Sequence, residues 1–248
     1  MSNQWATRRK FGVLGPSTNT VVEPDFYALT PEGVSNHYAR IFTQDAKALN
    51  NESFIAGTDI ISQNLTHAID SVMTCGPDYL VMGMSAITFY GGLEGAQRFE
   101  NSVYQRSGVG CSVGSIACDA ALKAYGGIRT IAFLSPYYPI ANKEVHGFFN
   151  DCGYSVARDV CLECKSWTDI SRVKESELRR VLLDLDGDDV DALVQVGTNL
   201  SMMRLADEME TRLDKPVVAI NAATYWHALR TNGLPDQIEG FGQLLAAH

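Results

Sequence analysis

The sequence predicts an α/β fold with parallel sheets covered by helices on both faces. Three observations lead there. Short β-rich runs alternate with amphipathic helical segments, the pattern of strand–helix–strand units. A faint internal repeat runs through the chain: "KFGVLGPSTNT" near residue 10 answers to "RTIAFLSPYYP" near residue 129. "DYLVMGMSAITFYGG" from Asp78 answers to "DALVQVGTNLSMM" from Asp191 in the same way. Each of these four runs ends in small or polar residues, and open α/β sheets bind ligands at such strand ends.

The first predicted strand is Lys10–Leu14. Gly15 and Pro16 end it, and Ser17, Thr18 or Asn19 supplies a cap for the next helix. The same turn at a helix N-terminus also suits a carboxylate or phosphate, because free N–H groups and the helix dipole favour negative charge there. These residues alone leave cap and anion site open. Further strands are predicted at Ser53–Ala56, Tyr79–Met82, Gly108–Cys111 and Thr130–Leu134, then at Tyr154–Ala157, Ala192–Val196 and Pro216–Ile220. Helical patterns lie at Ile60–Met73, Leu93–Arg106, Ile116–Tyr125, Ile140–Asn150, Ile170–Leu185 and Thr224–Arg230.

With 248 residues, 46% of them hydrophobic, the chain can bury one large core or two smaller ones. It has no apolar stretch of about 18 residues or more, and its first residues lack the apolar core of a signal peptide, so a cytoplasmic protein that does not span a membrane is expected. A formal net charge of −9 argues against nucleic acid or an anionic membrane as partner. A small anionic substrate remains compatible, since backbone N–H groups supply local positive potential. The six cysteines read as free thiols in small apolar packing positions. Cys161-Leu-Glu-Cys164 is a solitary CxxC without the further ligands of a zinc site, and no metal is expected.

The strand ends carry the chemistry. The first offers Ser17, Thr18 and Asn19; the second offers Met84, Ser85 and Thr88. The third offers Ser135, Tyr137 and Tyr138; the fourth offers Gly197, Thr198 and Asn199. The set is rich in neutral donors and poor in acids and bases. Such a pocket suits a carboxylate or an enediolate, whose charge preorganised donors stabilise.

These segments resemble the aspartate/glutamate racemase superfamily, in particular its maleate cis-trans isomerases and arylmalonate decarboxylases. "GPSTNT" is similar to the isomerases' Gly-Pro-Ser-Ser-Asn-Thr opening, and "VQVGTNLSMM" to their Cys-Thr-Asn-Leu-Arg-Thr segment. "MGMSAITFYGG" and "LSPYYPIAN" resemble decarboxylase segments, and "YWHALR" resembles a family helix near the C-terminus. The resemblance implies two Rossmann-like lobes related by pseudo-twofold symmetry, with the active site between them. Residues 8–118 plus 221–248 would form the first lobe and residues 119–220 the second. It also implies a homo-oligomer, a small carboxylate-like substrate, and chemistry without metal or organic cofactor.

Where racemases and isomerases carry one cysteine per lobe, and the decarboxylases keep only the second, this chain has Met84 and Gly197, so by the resemblance it departs from both. What the resemblance carries over is binding. Asn19, with Ser17, Met84, Gly197, Thr198 and Asn199, would line the substrate site, and Tyr137 and Ser85 would act on the developing enolate. Gly197 is expected to leave room for a water or a bulkier substrate. Cys111 is the thiol nearest to the cleft by its strand end; Glu23 is a candidate base, His227 could titrate near neutrality, and by the resemblance Lys165 and Trp167 fall near where the isomerases bring another substrate-contacting residue. The reaction expected is an isomerase- or lyase-type step on a small carboxylic acid through a donor-stabilised enolate. The alternatives are a hydrolase opening a lactone, lactam or imide with a pocket water, and a binding protein that keeps the carboxylate cradle without catalysis.

Overall fold

The computed structural model describes residues 4–45, 47 and 50–248. Two four-stranded sheets, parallel throughout, organise it. The first contains β1 (Arg9–Pro16), β2 (Val34–Ile41), β3 (Tyr79–Met82) and β4 (Cys111–Ser112) in the order β2-β1-β3-β4. The second contains β5 (Thr130–Ser135), β6 (Ser155–Cys161), β7 (Ala192–Gln195) and β8 (Val217–Ala219) in the order β6-β5-β7-β8. The second sheet thus repeats the strand order of the first, which accounts for the sequence repeat. Strands β3, β7 and β8 are buried along their whole length, as parallel strands between two helical layers must be.

The helices between the strands are α1 (Val22–Ala28), α2 (Asn51–Met73), α3 (Gly92–Ser107), α4 (Gly114–Tyr125), α5 (Pro139–Asp151), α6 (Glu175–Leu185) and α7 (Met203–Leu213). After β8 the chain enters α8 (Ile220–Thr231), which returns to the first sheet and packs against β3, β4, α1 and α4. A last helix, α9 (Gln243–Ala247), covers α4 and α8. No helix among the described residues is long and apolar enough to cross a membrane.

Several expected elements change. Ser53–Ala56 is the first turn of α2 and not a strand. Asn50 decides this: its side chain accepts from Ser53 N (2.9 Å) while Asn50 N donates to Ser53 Oγ (3.2 Å), a reciprocal cap that starts the helix. The second strand of the first sheet is instead β2, whose Ser, Asn, His, Tyr and Arg conceal its pairing with β1. The stretch from Ile170 divides into a 3₁₀ turn, Asp169–Arg172, and α6. The strand expected at Gly108–Cys111 shrinks to Cys111–Ser112 at the sheet edge, and the last helix pattern begins at Ile220, earlier than expected.

Candidate active site

The polar ends of β1, β3, β5 and β7 meet in one cleft of about 410 Å³, its open mouth included. In each sheet these are the two adjacent central strands, where the chain order reverses and a crevice opens at the C-terminal ends. The polar wall consists of Thr18, Asn19, Ser85, Tyr137, Thr198 and Asn199. Facing it are Ile61 of α2, Met84, Pro136, Trp167 and Ile170. Among the described residues that line the cleft there is no carboxylate, amine, guanidinium, imidazole or thiol.

The donors hold one another across the two sheets. Ser85 Oγ lies 2.6 Å from the Tyr137 hydroxyl and accepts a hydrogen bond from Thr198 N at 3.2 Å. Thr198 Oγ1 donates to Gly83 O (3.1 Å) and accepts from Asn19 Nδ2 (3.1 Å). Asn199 Oδ1 accepts from Thr20 N (3.0 Å), and its Nδ2 donates to Trp167 O (2.9 Å). Within the Ser85–Tyr137 pair one hydroxyl donates to the other, which leaves one O–H for a ligand. Burial pushes the Tyr137 phenol far above its ordinary pKa, and the Ser85 hydrogen bond only partly opposes this, so the ring is neutral and a donor at physiological pH.

The first turn caps α1 and also lines the cleft. Asn19 Oδ1 accepts from Val21 N (2.9 Å) and Val22 N (3.0 Å), satisfying free N–H groups at the start of α1. The amide end of the same side chain faces Thr198 and the cleft. Ser17 stands apart from the cleft lining. Its Oγ accepts from Thr43 N (2.9 Å) and donates to Thr43 O (3.2 Å), fastening the turn to the end of β2.

The sequence pattern that defines the arylmalonate decarboxylase family matches residues 12–245. The chain belongs to that family. No curated protein matches it in sequence. Among solved structures, maleate cis-trans isomerase from Nocardia farcinica superposes with a TM-score of 0.86 at 21% identity, over 96% of this chain and 97% of the other. Maleate isomerase from Pseudomonas putida S16 gives 0.83 at 20% identity, over 96% and 98%. An arylmalonate decarboxylase gives 0.74 at 19% identity, over 95% and 98%. At these identities the likeness establishes the shared fold.

Met84, Gly197, Thr198, Asn199, Asn19, Ser85 and Tyr137 all line the cleft. The room expected beside Gly197 does not exist. Its φ is +106°, and a Cβ there would lie 2.3 Å from Pro136 Cδ, so the proline ring fills the space a side chain would need. None of the six cysteines lines the cleft. Cys111 is wholly buried in the first sheet, and burial raises its thiol far above the usual range. Glu23 is paired with Arg40 at 2.8 Å, and Arg40 also donates to the carbonyls of Ser17 and Asn19. His227 Nδ1 lies 2.7 Å from Ser112 Oγ, away from the cleft lining, and burial lowers its pKa. Lys165 does not line the cleft, whereas its neighbour Trp167 does. Among the described residues no three His, Cys, Asp or Glu side chains are grouped to hold a metal ion. Ile61 and Ile170 complete the walls without any strand-end signal in the sequence.

Proposed function

We propose that this protein is a decarboxylase-type lyase acting on a small acid with two carboxylates on one carbon. One observation carries the reading: the cleft offers neutral hydrogen-bond donors and no group that could take a proton or attack as a nucleophile near neutral pH. Racemisation needs a base to remove an α proton, and hydrolysis needs one to activate water. Addition of a thiolate to a double bond needs a thiol. The Nocardia farcinica isomerase has been seen with a covalently bound succinylcysteine intermediate; this chain has Met84 and Gly197 in the corresponding family positions and no thiol in the cleft lining. Decarboxylation alone needs none of these groups. The bond to the departing carboxylate breaks, and its electron pair stays on the α carbon.

The geometry supports a division of labour. One carboxylate takes the free N–H of Asn19 and the O–H that the Ser85–Tyr137 pair offers. The other lies against Met84 and Ile61, where poor solvation favours loss as neutral carbon dioxide. As the C–C bond breaks, charge moves onto the retained carboxylate, which becomes an enediolate held by donors already in place. The α carbon then takes a proton from the Tyr137 hydroxyl. Ser85 donates to the resulting phenolate, and water restores the proton.

The test uses a series of monosubstituted malonates in deuterated water, followed by bicarbonate release and proton NMR. Carbon dioxide release with one deuterium placed on the α carbon supports the reading. Deuterium exchange without release, or conversion of maleate to fumarate, overturns it in favour of an isomerase. Opening of a lactone, lactam or imide series would make the protein a hydrolase. Thermal stabilisation by the acids without any turnover would make it a binding protein.

A further inference from the structure

We propose that Trp167 sets the size of the acid the cleft accepts, and that Gly57 is the seat that makes this possible. The inference takes the cleft to be the acid site described above. Trp167 comes from the connection between β6 and α6, in the second half of the chain, yet its indole lies on α2 of the first sheet. Its ring centroid is 5.1 Å from that of Phe54, and the side chain is only 8% exposed. The connection is fastened on that side as well. Thr168 donates through N (3.3 Å) and Oγ1 (2.9 Å) to the Asp45 carboxylate, and Ser166 bridges to Lys47.

Gly57 lies inside α2, where glycine destabilises a helix by about 0.5–1 kcal/mol relative to alanine. A Cβ at this position would stand 2.6 Å from Trp167 Cζ2 and 3.2 Å from its Cε2 and Nε1. The missing methyl group is therefore the indole's space. With the ring seated there, its inner face becomes the cleft wall beside Ile170. Asn199 fixes the backbone of the same residue by donating to Trp167 O, so the wall and the polar turn after β7 keep a constant separation. A rigid wall at a fixed distance from the donors limits how large a substituent can lie between them.

The experiment compares wild type with Trp167→Ala, Trp167→Phe and Gly57→Ala on malonates bearing methyl, phenyl and naphthyl groups. Two readouts are taken, kcat/KM and thermal stabilisation by each acid. Trp167→Ala is expected to raise the naphthyl-to-methyl ratio by about tenfold or more, the scale at which a filled or opened apolar pocket discriminates. Trp167→Phe should move the ratio part of the way. Gly57→Ala should push the indole inward, lowering the ratio and the melting temperature, whereas in a Trp167→Ala background the same substitution should lower the melting temperature little further, since the clash is gone. An equal loss for all three acids in Trp167→Ala, or an unchanged ratio with normal turnover, would overturn the inference while leaving the decarboxylase reading intact. A size shift seen in thermal stabilisation with no turnover of any acid would overturn the decarboxylase reading and support the inference.

Discussion

The turn after β1 and the turn after β5 hold equivalent places in two sheets of one strand order, yet they support their polar groups in opposite ways. In the first, the side chain of Asn19 does everything: its oxygen caps α1 and its amide faces the cleft. Behind it stands an ion pair at the surface, Arg40 with Glu23, whose guanidinium also holds the carbonyls of Ser17 and Asn19. In the second, Tyr137 is presented by a backbone locked from inside. Tyr137 N donates to Ser135 Oγ (3.1 Å), Ser135 Oγ donates to Asn142 Oδ1, and Asn142 Nδ2 donates to Asp159 Oδ2 (2.5 Å). A repeated fold has thus acquired two kinds of support. On the proposed reading, a relay whose inner members Ser135 and Asn142 are buried and which ends on the half-buried Asp159 suits a donor that must already be aimed when charge develops. The more exposed Arg40–Glu23 brace suits one that only has to hold a ground-state carboxylate.

The comparison breaks first at Tyr137. Tyr137→Phe removes a donor aimed at developing charge while keeping the ring on Phe54, so kcat should fall by about a hundredfold or more with KM little changed. Normal kcat in a folded variant would end the case for an enediolate site. Gly197→Cys is the next largest change. It tests whether the turn after β7 can carry a thiol. The positive φ alone costs a non-glycine residue on the order of 1–3 kcal/mol, and the overlap with Pro136 adds to that. A clear drop in melting temperature is expected, with no gain of isomerase activity; a stable and active isomerase would show that the turn after β7 can still receive the thiol.

Asn19 sharpens the contrast because its two ends can be separated. Asn19→Ala removes both cap and amide, so it should lower stability by about 0.5–2 kcal/mol and weaken acid binding together. Asn19→Asp keeps the capping oxygen but loses the N–H and adds a negative charge beside the substrate. It should lower the melting temperature through the lost bond to Thr198 and the buried charge, and reduce binding by tenfold or more, on the order of one charge-assisted hydrogen bond. If the aspartate variant binds normally, the first turn is a cap alone.

Much of this site was legible because parallel strands are apolar until they end. Polar residues after Leu14, Met82, Leu134 and Gln195 therefore marked one end of each sheet, and the fold brought them together. What the sequence concealed came from other causes. β2 is masked by its polar side chains, of which Asn36 is buried while Ser35, His37, Tyr38 and Arg40 are partly or fully exposed. Phe54 and Ile55 look like a strand until the Asn50–Ser53 cap is seen. The absence of a side chain at Gly197 was visible, but the proline ring that fills its place was not. The apolar wall is supplied by α2 and by the connection before α6, segments joined to the cleft only by tertiary contact.

The rear of the first turn gives a smaller, pH-dependent effect. Asn221 of α8 donates to both Thr198 O (3.0 Å) and the Asp25 carboxylate (2.8 Å), linking α1 to the turn after β7. Burial pushes the Asp25 carboxyl up from 3.8 to about 6, with Asn221 and Arg204 partly opposing the shift. The folded state therefore holds this proton more tightly than the unfolded one. The associated stability is fully present below pH 3.8 and is lost as pH rises through about 6. Asp25→Asn should raise the stability at pH 8 by about 1–2 kcal/mol and do nothing at pH 3.5. A gain of equal size at both pH values would assign the effect to packing instead of charge.

The smallest expected effect is the one that joins the two halves. Neither turn presents a thiol, so iodoacetamide should leave turnover almost intact although the chain has six cysteines. Cys75 is exposed and should be alkylated first; it follows α2, where its thiol donates to Val72 O (3.1 Å). Cys152, Cys161 and Cys164 are partly exposed, but burial pushes each thiol up to about 12, which leaves little reactive thiolate at neutral pH. Cys111 and Cys118 are buried in the core and react only when the protein opens. Mass spectrometry should therefore find one early adduct, at Cys75, with activity unchanged, and further adducts only as structure is lost. Rapid inactivation that substrate prevents, with the label on Cys111, would place a thiol in the reaction and remove the basis for assigning proton delivery to the Ser85–Tyr137 pair.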